Sequence, residues 1–223
     1  TMGAVFGPAI ALAYLYFYPE NYKTLFLIAF LPGVAAIFFT LLIKEKKLVP
    51  QVNKSSGGFF SFFNYWKDSP PEYKKLLIGF LLFAMFNSSD VFLLLKMKES
   101  GLNDTAVIGV YIFYNLMYAL MAYPVGILAD KMGMKKIFLS GLFIFAIVYA
   151  GFAFNKNLYL FFVLFFLYGL YAAATEGISK AWISNIVRKG ETATAIGTFA
   201  GLQSICSLIA SSLTGLLWFK FGA

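Results

Sequence analysis

The sequence predicts an all-α integral membrane protein, a polytopic helical bundle. Three observations predict it. Hydrophobic residues make up 61% of the 223-residue chain and charged residues 13%, against roughly 45–50% and about 25% in soluble domains. Apolar runs long enough to cross a bilayer recur along the whole length. Most of these runs are apolar all round, without the polar outer face that a soluble helical core needs.

Seven spans are expected, in order over residues 3–18, 22–43, 73–95, 105–128, 136–154, 158–183 and 192–219. Pro19 and Glu20 break the first pair. Asn103 and Asp104 can cap the fourth span, because their side-chain oxygens accept from the first free amides. Asn155-Lys156-Asn157 reads as a tight reversal. Thr1 starts abruptly inside a membrane segment and no signal peptide is visible, so further chain is expected upstream.

Orientation follows from Lys and Arg. Seven lie in residues 44–75, three at Lys131, Lys135 and Lys136, and three at Lys180, Arg188 and Lys189. The other five are Lys23, Lys96, Lys98, Lys156 and Lys220. The positive-inside rule puts the first three groups in the cytoplasm. The net charge of +8 follows from this bias, so it does not call for a nucleic-acid partner. The expected setting is the plasma membrane, or the inner membrane if the source is bacterial, with the bilayer itself as partner.

The long connection, residues 44–72, starts basic, loosens at Ser55-Ser-Gly-Gly58 and then turns aromatic from Phe59 to Trp66. That block is too short to span. Its Trp and Tyr suit the headgroup interface. A basic loop between two helical sets also marks a boundary between halves.

Composition removes several chemistries. There is no His, and Cys206 is the single cysteine, so no disulfide framework exists and the commonest general base and metal ligand are missing. No catalytic residue, metal or cofactor is expected. A membrane enzyme would need clustered nucleophiles or metal ligands. A non-transporting scaffold or receptor remains as an alternative of another class, but it would not need acids at membrane depth.

The most informative stretch is Gly126-Ile-Leu-Ala-Asp130-Lys131-Met-Gly133-Met-Lys135-Lys136, between two apolar segments. It resembles the G-x-L-a-D-r-x-G-r-r signature of the major facilitator superfamily, in the copy joining the second and third helices of a six-helix half. Met134 departs from the basic residue the signature has there. The start, Gly3-Ala-Val-Phe-Gly7-Pro8, is similar to the G-x-x-x-G-P pattern of the family's antiporters in helix five. Generic helix packing through Gly3 and Gly7, with a kink at Pro8, is the other reading.

The resemblance implies a partial transporter fold. Residues 1–43 correspond to the last two helices of the N-terminal half, 44–72 to the cytoplasmic central loop, and 73–223 to the C-terminal half without its last helix. The earlier helices of the same chain are then a partner of the site. The implied function is alternating access in a monomer, with proton-coupled export of a small amphipathic or hydrophobic compound. A proton-coupled importer or a facilitator is the alternative. The turn would latch the cytoplasmic side through Gly126, Asp130, Lys131, Gly133, Lys135 and Lys136; topology alone would use only its bases.

Acids at membrane depth cost at least about 2.5 kcal/mol, so they are functional candidates. Asp90 falls in the outer half of the third span, with Asn87 on the same face. It could carry a proton, or pair with Lys96 or Lys98. Glu176 lies nearer the cytoplasm, with Lys180 at i+4 in the favoured order for an ion pair. Tyr111, Asn115, Tyr118 and Ala122 share one stripe of the fourth span, and Tyr168, Tyr171, Ala172, Thr175 and Ser179 one of the sixth. With Asn87 and Gln203 they are the expected cavity lining. The stripe Gly197, Gly201, Ser204, Ser211 and Gly215 reads as helix packing. The fifth span carries little polar chemistry and is expected to face lipid.

Overall fold

The computed structural model describes residues 2–19, 21–43, 61–155 and 157–222. Residues 44–60, where the sequence leads one to expect the basic start of the long connection and its Ser55-Ser-Gly-Gly58 linker, lie outside them. The described residues form α1 (Met2–Phe17), α2 (Tyr22–Leu42), α3 (Ser61–Asp68), α4 (Pro71–Phe86), α5 (Val91–Glu99), α6 (Asp104–Met132), α7 (Met134–Phe154), α8 (Leu158–Ile186) and α9 (Thr192–Phe221). Five of the seven expected spans appear as helices of 21 residues or more, and α1 is a shorter apolar helix of 16.

The third expected span is not one helix. It is broken into α4 and α5 by Asn87-Ser88-Ser89-Asp90. Short polar side chains compete for the backbone, which is why this run leaves the helix. In lipid a freed backbone group needs a new partner. Ser211 Oγ on α9 accepts from the Ser89 amide at 3.1 Å, and the Asp90 carbonyl already accepts from the amides of Leu93 and Leu94 at 3.1 and 3.2 Å.

α8 is the hub. It packs against α6, α7, α9 and α4, and Phe161, Phe165 and Tyr168 on it are almost fully buried. The backbones of α6 and α8 approach closely at Gly169, where an added Cβ would lie 3.0 Å from the Tyr114 carbonyl oxygen and 3.1 Å from the Tyr118 amide nitrogen. Gly141 on α7 similarly faces Ala174 and Thr175 on α8. α7 is therefore not a purely lipid-facing helix: Ile137, Phe138 and Val148 are buried, while Leu139, Phe143 and Ile147 stay exposed. α1 packs on α6, and α2 touches only α1 among the stronger contacts. Leu31, Phe38 and Leu41 on α2 are exposed, as suits a lipid-facing helix.

The reversals behave as their residues require. Asn103 Oδ1 caps α6 by accepting from the Ala106 amide at 2.8 Å. Asn157 Oδ1 caps α8 through the Tyr159 amide at 2.9 Å. Gly133 joins α6 to α7 with φ +95°, a conformation that a side chain would strain.

The end of the aromatic block forms α3, which docks on the N-terminal end of α9. Tyr73 donates to the Ala195 carbonyl at 2.9 Å, and Tyr65 stacks edge-on to Tyr73. Burial, and then the Glu191 carboxylate, push the Tyr65 hydroxyl up to about 12. It stays a neutral donor, with Glu191 Oε2 3.5 Å away.

Candidate functional site

Asp90 stands in the helix break, where α4 has ended and α5 begins. Its Oδ1 accepts from the Tyr168 hydroxyl on α8 at 2.5 Å, and its Oδ2 from the Tyr114 hydroxyl on α6 at 3.2 Å. The alternative, an ion pair with Lys96 or Lys98, does not form among the described residues. Lys98 instead reaches Asp104 at 2.8 Å across the α5–α6 turn, because α5 carries it past the break toward the outer end of α6. Three helices are thus tied at one carboxylate.

Glu176 is exposed, and its Oε2 accepts from the Tyr118 hydroxyl at 2.8 Å. It makes no ion pair with Lys180 within 4 Å among the described residues. A tyrosine on the neighbouring helix outcompetes the flexible i+4 lysine.

Two adjoining cavities share Asn87, Glu176 and Gln203 in their walls. The outer one, about 440 Å³, also takes in Asp90, Tyr111, Ser207 and Ser211. The inner one, about 210 Å³, is aromatic, with Phe80, Phe83, Phe138, Tyr171 and Phe199, and has Lys180 in its wall. Asn87 donates to the Tyr171 hydroxyl at 3.0 Å. Its Oδ1 is buried and accepts nothing from the described residues.

Of the expected lining residues, Asn87, Tyr111, Tyr171, Thr175 and Gln203 face one or both cavities. Asn115 does not: it is buried and donates to the Tyr111 carbonyl of its own helix at 2.9 Å. Tyr118 borders a separate groove between α6 and α8 and reaches the cavity through its bond to Glu176. Thr175 Oγ1 donates to the Tyr171 carbonyl. Tyr114 and Tyr168 hold Asp90; Tyr168 belongs to the expected lining stripe of the sixth span, while its role at Asp90, and Tyr114 altogether, were missed from sequence. Their hydroxyl partners lie on other helices, so only the fact that buried tyrosines seek a hydrogen bond could have pointed to them.

The signature turn lies apart from the cavities. Gly126 and Asp130 border a groove of about 250 Å³ beside Ala122 on α6, with Gly177 and Ala181 of α8 opposite. A Cβ at Gly126 would meet nothing within 4 Å, so this glycine keeps the groove open and brings no two described backbones together. Asp130, Lys131, Lys135 and Lys136 are exposed. Gly3 and Gly7 also meet nothing within 4 Å, and Pro8 sits inside an uninterrupted α1. Among the described residues, the close-packing glycines are Gly141, Gly151 and Gly169, not Gly197 or Gly201.

Comparison with known proteins matches the Major Facilitator Superfamily model over residues 76–222. The chain belongs to the major facilitator superfamily. An uncharacterized MFS-type transporter of Methanocaldococcus jannaschii is 31% identical over 98% of this chain and 55% of that protein. An uncharacterized MFS-type transporter of Bacillus subtilis is 33% identical over 56% of this chain and 31% of that protein. The chain thus spans about half the length, or less, of these curated relatives. No solved structure matches it. As a major facilitator chain it is an integral, multi-pass membrane protein, and its relatives are transporters rather than enzymes.

Proposed function

We propose that this major facilitator protein is a secondary transporter working by alternating access, and that it couples export of a small amphipathic compound to protons through Asp90. The observation that carries the reading is the position of Asp90. A carboxylate at the break of a discontinuous helix, on a cavity wall, held by two hydroxyls and no cation among the described residues, suits a site that changes charge during a cycle. Protonation turns one acceptor oxygen into a donor. Two charge-assisted bonds become neutral ones, each weaker by about 1 kcal/mol, and α5 loosens from α6 and α8. Export, rather than import, is favoured by the aromatic inner wall and by the likeness of Gly3-Ala-Val-Phe-Gly7-Pro8 to the antiporter pattern.

The test uses the full-length protein in everted membrane vesicles. An imposed pH gradient should drive accumulation of a transported compound, and a protonophore should abolish it. Accumulation indifferent to the protonophore would refute proton coupling.

A further inference from the structure

We propose that the compound bound here is a protonated lipophilic amine, its ammonium in the outer cavity beside Asp90 and Glu176 and its apolar tail in the inner aromatic cavity. The inference rests on the transporter reading and adds the charge and the orientation of the ligand. The two cavities differ in chemistry. The outer one has two carboxylates in its wall, several neutral oxygen acceptors and no Lys or Arg among its lining residues. The inner one presents Phe80, Phe83, Phe138 and Phe199, with Lys180 in its wall.

Charge decides the orientation. An anion or a carboxylate head in the outer cavity would face two like charges. An ammonium there meets two carboxylates whose present partners are only tyrosine hydroxyls. Charge-assisted hydrogen bonds are roughly twice as strong as neutral ones. A second feature points to a donor on the ligand. Asn87 lies in the wall of both cavities, and its Oδ1, covered in the present arrangement, accepts nothing from the described residues, so a side-chain rotation would offer it to an ammonium N–H. Tyr111 offers a ring in the same outer wall, a surface that attracts cations. The tail then lies inward, away from Asp90, where Lys180 offsets the Glu176 that both walls share.

A matched series tests this on the full-length protein in nanodiscs. Equilibrium binding is measured for 4-phenylbutylamine, the neutral 4-phenylbutanol and the anionic 4-phenylbutyrate, which share one tail. The amine should bind at least about tenfold more tightly than the alcohol, as the charge-assisted bonds require, and the butyrate should not bind detectably. Asp90 also holds α5, so the deciding variant is Glu176→Gln. That substitution keeps an acceptor for Tyr118. It should weaken the amine about tenfold and leave the alcohol unchanged. Equal binding of amine and alcohol, stronger binding of the butyrate, or an amine affinity indifferent to Glu176→Gln would overturn the inference. So would failure of all three to bind, and that result would leave the proton-coupling reading standing, because the pH-gradient assay judges it separately.

Discussion

Gly169→Ala probes the contact that sets the geometry around Asp90. An added Cβ would lie 2.9 Å from Met117 Cβ, 3.0 Å from the Tyr114 carbonyl oxygen and 3.1 Å from the Tyr118 amide nitrogen. Two of these neighbours are backbone atoms inside a helix, so they cannot swing away. Ordinary contact begins near about 3.5 Å, so α6 and α8 must part by about half an ångström. Overpacking of this kind costs about 1–3 kcal/mol. At about 2–4 °C per kcal/mol for a chain of this size, the melting temperature should fall by about 2–12 °C. The same parting separates Tyr114 from Tyr168, which converge on one carboxylate from these two helices, so transport should fall with stability. The assay is thermal unfolding of the purified full-length protein in detergent, with Gly177→Ala as control. A Cβ at Gly177 meets nothing within 4 Å, and replacing a helical Gly by Ala should stabilise by about 0.5–1 kcal/mol. A Gly169→Ala protein as stable as the wild type would refute the close approach of the two helices.

Two further outcomes follow from the turn and the topology. Gly133→Ala should cost about 1–3 kcal/mol of thermal stability, since φ is +95° there, while Asp130→Asn, at an exposed position, should leave stability unchanged and lower transport. Normal transport by Asp130→Asn would leave the turn only a topological role. With Cys206 replaced, a cysteine at Ser100 should react with an impermeant thiol reagent in intact cells, and one at Met134 should be protected; the reverse pattern would invert the orientation.

Much of the fold was legible because lipid makes a simple demand: long apolar runs must close their own backbone bonds. That placed the spans; Asn103 marked the start of α6, and Asn157 read as part of a reversal whose capping role only the structure gave. The break at Asn87–Asp90 was written in four polar residues but was masked by the apolar runs on either side of it. Glycine spacing alone did not pick out the close contacts. A Cβ at Gly3, Gly7, Gly197 or Gly201 would meet nothing within 4 Å among the described residues, whereas Gly169 and Gly141 carry close contacts. Spacing reports which residues share a face, not what that face meets. Asp90 and Glu176 stood out from cost alone, but their partners did not. The tyrosines that hold them come from other helices, and nearby lysines looked equally able to do so. Asn115 shared a stripe with Tyr111, yet its amide is spent on its own helix.

The central claim is that Asp90 links charge to the transport cycle, and the most direct test separates driven from undriven transport in Asp90→Asn. Asn keeps the size and one acceptor oxygen but cannot ionise, so it removes the charge-assisted part of two hydrogen bonds, about 2 kcal/mol in all. In vesicles of the full-length protein, accumulation driven by a pH gradient should disappear, while exchange of labelled for unlabelled compound without a gradient should persist. Accumulation by Asp90→Asn that still tracks the imposed pH gradient would contradict the account.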